Sequence, residues 1–335
     1  SIADSGLKTV LGRGCWDLPG LTPEEYREDP RTARIESERF ISRWHGKAND
    51  RIIIRTETSR FIQASDEMIL TTKELAQNKG LGWGIHVVSR LGEHPIDPRR
   101  DDPSIKRYNG RTVEYLQDLG VLGPDTLLIH CGPQITNREI AILANTDSAV
   151  AHCPVMNAWA GRHIITPVPA MLEKGISVGL GTDGASTNDS QDLFEVMKVC
   201  ALLHKVNLGD PKTLTAEKVI EMATIDSAKA LQLDKEIGSL EAGKKADIIM
   251  LKRDSIGLTP NLIPVKNIVY SASSGEAVDT VIVNGKILME NKKITTFDEK
   301  EVIDRAEETA QKLIQASGHI EKDPLYLKPS PWKYS

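Results

Sequence analysis

A parallel α/β fold is what this sequence predicts, and three observations predict it. Six short β-branched or apolar runs lie between Lys8 and Asp183, and most are followed by a helical stretch. Polar residues collect at the carboxyl ends of those runs, the rim where parallel α/β folds place their chemistry. Composition then changes after about Ile237, where short alternating strands replace the βα order.

The strand-like runs are Lys8–Leu11, Ile52–Ile54 within RIIIRTET, Gly82–Val88, Thr126–Cys131, Ser148–Pro154 and Ile176–Asp183. Between them fall helices at Thr32–His45, from a Ser65 N-cap to a Gly80 stop, at Arg111–Leu119, from the Thr136/Glu139 capping box, and at Pro167–Gly175. Asp192–His204 and Thr215–Leu231 are read as two more. This order fits either a closed barrel or a doubly wound sheet. Beyond Ile237, IGSLEAGKKADIIMLKRD, NIVYSASS and DTVIVNGKILMENKKI read as strands, with a hairpin turn at Asn284–Gly285. The expected division is a barrel-like unit over 1–236, a β module over 237–296, and a terminal helix (Lys300–Ala316) with its tail over 297–335.

The chain has 335 residues, 40% hydrophobic and 27% charged, as globular proteins do. Its 42 Lys and Arg against 47 Asp and Glu give a net charge of -5, which supplies no basic field for nucleic acid. No apolar run reaches the roughly 18 residues of a membrane span. The expected partner is therefore a small molecule. Cys15, Cys131, Cys153 and Cys200 lie far apart without a CxxC pair and read as reduced thiols of a cytoplasmic protein.

His86, His130 and His152 each stand at a strand end, and Asp183 ends the last run in GTDG. Each histidine alone reads first as a structural residue, a partly buried imidazole bonded to backbone, and Asp183 alone reads equally well as an N-cap or Asx-turn aspartate. Together they are the neutral imidazoles and carboxylate that bind zinc or a similar divalent ion.

HCP…N at His152–Asn157, GTDG at Gly181–Gly184 and IGSLEAGKKAD at Ile237–Asp247 closely resemble the amidohydrolase superfamily. The resemblance is to its cytosine-deaminase-like branch, with the guanine and adenosine-derivative deaminases and the triazine hydrolases. It implies a metal-dependent (β/α)8 TIM barrel, of which these six runs match strands three to eight, with a small composite β-sandwich. It implies His86 and Asp183 as metal ligands, His130 as the residue polarising the attacked centre, and Asp183 as the group handling the proton of the attacking water. Ser89, Asn157, Trp159 and Thr187 fall on loops expected to touch substrate, as do His163 and Asn188.

The implied reaction is metal-hydroxide attack on a nitrogen heteroaromatic ring, expelling ammonia, an alkylamine or a halide. The implied cofactor is one divalent ion, Zn2+ in the first instance and Fe2+ in the second. Two departures stand against this. The family's His-x-His pair occurs nowhere in the sequence, so an N-terminal portion is expected to be missing. Such a sheet would carry two open edges, which a homo-oligomer would close. Ser89 holds the place of a glutamate that protonates the ring, and the candidate replacements are Glu93, four residues further on in a loop, and Glu57, which ends the preceding strand. The competing expectations are a noncatalytic relative and a ring-opening cyclic amide hydrolase.

Overall fold

The computed structural model describes residues 2–87, 98–99, 101–132, 135–159, 161 and 165–317. Six parallel strands form one sheet: β1 (Thr9–Cys15), β2 (Ile52–Arg60), β3 (Trp83–His86), β4 (Thr126–Ile129), β5 (Ala149–His152) and β6 (Val178–Leu180). Their spatial order is their chain order, the arrangement of a barrel wall rather than of a doubly wound sheet, whose order reverses. Among the described residues β1 pairs only with β2, and β6 only with β5.

Register explains what each face does. Glu57, Gly84, Leu127 and Ala149 lie in one row across β2 to β5, and Ala151 pairs with Gly179. Side chains alternate along a strand, so these residues share a face. That face carries glycine, alanine and polar groups with Leu127 and Ile129, and His86 at its rim. The opposite face carries Ile85, Leu128, Val150 and Val178, all buried in the main core against the helices. Burying such side chains stabilises by about 1.5–3 kcal/mol each.

The helices begin and end as their residues dictate. Asp29 caps Pro30–Trp44, Ser65 caps Asp66–Lys79, and the Thr136/Glu139 capping box opens Asn137–Asn145. Gly80 closes the second of these in the left-handed conformation that glycine adopts without cost.

A second, antiparallel sheet contains β7 (Ile248–Leu251), β8 (Val278–Val283), β9 (Lys286–Glu290) and β10 (Lys293–Ile294). Asn284 and Gly285 both have positive φ, as a tight hairpin turn demands. Asp247, the last residue of the IGSLEAGKKAD motif, accepts a 2.6 Å bond from Lys8 Nζ and a 2.8 Å bond from the Asn284 backbone N–H. That carboxylate ties the residue preceding β1 to the turn between β8 and β9.

Two expectations are corrected. NIVYSASS is no strand: Pro264–Tyr270 is a helix, with Pro264 at its first turn and Val265, Ile268 and Val269 at helical spacing against the core. Thr215–Leu231 is two helices, Ala216–Ala223 and Ile225–Ala230, broken at Thr224. Just beyond the break, Ser227 Oγ donates to Met222 O and accepts from the Leu180 N–H, local bonding that competes with a continuous helix. The terminal helix is present at Glu299–Ser317. No described helix is long and apolar enough to cross a membrane.

Candidate active site

His86 is the last residue of β3, His130 the first after β4, and Asp183 the third after β6. His130 and Asp183 both leave their strands with positive φ, 70° and 63°. Non-glycine residues rarely adopt that region, and residues held there cluster at functional sites. Backbone bonds hold the turn at His130. Its N–H donates to Ala151 O at 2.8 Å, and the Gly132 N–H donates to Val87 O at 2.7 Å. Thr166 Oγ1 donates to the His130 carbonyl at 3.1 Å.

These turns bring His130 Nε2 to 3.7 Å from Asp183 Oδ2. The distance is too long for a direct hydrogen bond, so the two are neighbours rather than a closed pair. The His86 and His130 rings lie 5.6 Å apart between centroids, tilted by 45°. Asp183 Oδ1 accepts a 2.7 Å bond from the Gly184 N–H, so the two carboxylate oxygens have different neighbours. Imidazole nitrogen and carboxylate oxygen are donors that a borderline divalent ion accepts, and His86 and Asp183 are the side chains that would hold one. Below His86 on the same face, Glu57 Oε1 lies 3.3 Å from His86 Nδ1. The buried Arg55 guanidinium donates to Trp83 O. Burial lowers its pKa to about 10, against the pull of Glu57 and Asp125.

His152 does not join this group. It is paired with Leu180 and shares the face of Val150, toward the helix Leu193–Leu208. There its Nε2 lies 3.2 Å from His204 Nε2, and both rings are buried. Among the described residues His152, Cys200 and His204 are the one group of three ligand-type side chains whose donor atoms all lie within 4.8 Å. Burial pushes the Cys200 thiol up to about 12, lowers His204 to about 4, and drives His152 well below its ordinary value, with His204 and His130 adding to the last effect. Two neutral imidazoles sharing one hydrogen bond satisfy those facts. Cys200 and His204, four apart on one helix, were the available sequence signal for this cluster.

The loop residues are placed unevenly. Asn157 is buried, and its Nδ2 has no hydrogen-bond partner among the described residues. Trp159 is 61% exposed, with its indole N–H donating to Asp189 at 3.1 Å. The Thr187 hydroxyl is engaged by Gly184 O, and Asn188 is buried with its amide on Thr182 O. Ser89, Glu93 and His163 lie outside the described residues. All four cysteines are free and buried.

The amidohydrolase family model matches residues 2–288. A 5-methylthioadenosine/S-adenosylhomocysteine deaminase of Syntrophomonas wolfei is 37% identical, over 92% of this chain and 68% of its own length. A 5'-deoxyadenosine deaminase of Methanosarcina acetivorans is 38% identical, over 94% and 68%. Among solved structures, an adenosine deaminase from Xanthomonas campestris with bound zinc superposes with a TM-score of 0.82 at 20% identity, covering 94% of this chain and 68% of that one. An atrazine chlorohydrolase from Arthrobacter aurescens complexed with zinc gives 0.79 at 23%, covering 91% and 66%. These two likenesses concern the fold. With the family model spanning most of the chain and deaminases matched at over a third identity, this chain belongs to the amidohydrolase family.

Proposed function

We propose that this protein is a metal-dependent hydrolase that removes an amino, alkylamino or halide substituent from a nitrogen heteroaromatic ring. The observation that carries the reading is the approach of His130 to Asp183, with the His86 ring beside them, on turns at the carboxyl ends of three strands. The matched relatives named as deaminases of adenosine derivatives make such nucleosides the first substrates to test.

His86 and Asp183 would hold the cation in this reading, with zinc first and iron second. A bound divalent ion supplies Lewis-acid activation of water near neutral pH. Asp183, anchored through Oδ1 by the Gly184 N–H, receives the water proton at Oδ2 and passes it toward the leaving group. His130, buried and 3.7 Å from that oxygen, donates a hydrogen bond to the charge that develops on the attacked centre. Asn157 and Trp159 contribute to ring binding, the first through its unpartnered amide and the second through its exposed indole.

Ser89 favours a second reading. A serine hydroxyl is not an acid near neutral pH, so a reaction without ring protonation, such as cyclic amide opening, fits the sequence there, as does a noncatalytic relative.

A panel decides between them. The zinc-reconstituted protein is assayed on 5'-modified adenosines, chloro- and alkylamino-triazines and cyclic amides, with ammonia, amine and chloride release measured. Turnover confined to the first two classes supports the proposal, and turnover of cyclic amides alone replaces it with ring opening. One bound equivalent of metal without turnover of any class supports the noncatalytic relative. Failure to bind metal removes the catalytic reading altogether.

A further inference from the structure

His86 has two ring nitrogens, and a metal ligand presents only one of them. Its Nδ1 is shielded from water and makes no well-aligned hydrogen bond in the present ring orientation. A carboxylate oxygen of Glu57 lies 3.3 Å from that atom. Glu57 is opposite Gly84 in the β2–β3 ladder, so it stands two residues below His86 on the same face of the sheet.

The space for this carboxylate is built by the neighbouring strand. A Cβ on Gly12 of β1 would fall 2.0 Å from Glu57 Oε2 and 3.2 Å from its Cβ, and a Cβ on Gly84 would meet its Cγ at 3.7 Å. Any side chain at residue 12 would therefore displace the acid. Arg55, two residues back on β2, is buried on the same face and feels the Glu57 charge.

We propose that Glu57 is a positioning residue for His86, accepting the Nδ1–H and thereby fixing the tautomer that leaves the Nε2 lone pair for a metal ion. Metal-ligating histidines commonly donate their second N–H to a carboxylate, which orients the ring and raises its basicity. This inference rests on the reading of His86 as a ligand, and it assigns Glu57 a place behind the ring rather than the proton-donating role vacated at Ser89.

The test uses the whole chain, metal-free and with Zn2+ alone. Long-range 1H–15N correlation of the metal-free protein is expected to show His86 protonated at Nδ1, with the signal assigned by its loss in His86→Ala. Glu57→Ala should mix the two tautomers and weaken Zn2+ affinity by about 10- to 100-fold. Glu57→Gln preserves volume and a carbonyl acceptor and should lose less, which separates positioning from folding damage. Gly12→Ala, with Glu57 intact but displaced, should resemble Glu57→Ala. Overturning results are a folded Glu57→Ala with unchanged tautomer and Zn2+ affinity, or loss of turnover with both unchanged, which would make Glu57 a proton donor. If the wild type binds no Zn2+, the functional reading fails, while the tautomer comparison still decides what Glu57 does.

Discussion

Asp183→Asn is expected to lower kcat on whichever substrate the panel identifies by about 10²- to 10⁴-fold from lost proton transfer alone. The substitution is selective for physical reasons. Asparagine tolerates the left-handed backbone found at residue 183, and its amide oxygen can still accept from the Gly184 N–H as Oδ1 does now. Shape and backbone are therefore retained while charge and basicity go. Alanine would be a poorer probe, because it would also forfeit the anchoring bond. Metal content measured on the same preparations separates two ways of failing: a variant with bound metal and no turnover has lost its base, and one without metal has lost a ligand. Retention of kcat within a few-fold, with metal bound, would remove Asp183 from the chemistry.

The strands were legible in the sequence because buried parallel strands are β-branched and apolar, and their parallel direction followed from the repeated βα alternation. Their lengths were not. β2 continues from Ile54 through Arg60 because its polar residues find partners: Thr56 Oγ1 donates to Thr72 O at 2.8 Å, and the Thr58 and Thr72 hydroxyls lie 2.7 Å apart. β4 stops at Ile129 because His130 adopts left-handed backbone, and β6 ends at Leu180, three residues before the left-handed Asp183. Strand-end position singled out His86, His130 and Asp183, which lie side by side in the structure, but position alone could not tell which face a side chain uses. His152 ends β5 as conspicuously as the others end their strands, yet its register turns it to His204. Glu57 shows the converse. Its nearness to His86 depends on the β2–β3 register and on the glycine at residue 12, neither of which local sequence pattern contains.

The His152–His204 pair carries the second large effect, on stability. One Nε2–H donates to the other ring across 3.2 Å. His152 Nδ1 is buried without a hydrogen-bond partner, so the lower-cost arrangement leaves that atom unprotonated and makes His152 the donor. Protonating either ring places charge in a buried site, which is why both are held below the ordinary histidine value, His204 at about 4, and for His152 the neighbouring His204 adds to the effect. A histidine depressed on folding binds more protons unfolded than folded between the two values. Its stabilisation is thus fully present above about pH 6.5 and is lost as pH falls toward about 4. For His204 the loss is on the order of 3 kcal/mol. Urea denaturation midpoints from pH 7.5 to pH 4.5 should fall steeply in the wild type. His204→Gln, which does not titrate there, should be less stable at pH 7.5 but show a flatter profile. Parallel profiles for the two proteins would mean that the pair ionises without cost, contrary to its burial between β5 and the helix Leu193–Leu208. Because carboxylates elsewhere begin to protonate near the lower limit, the difference between the profiles, rather than either slope, measures the imidazole pair.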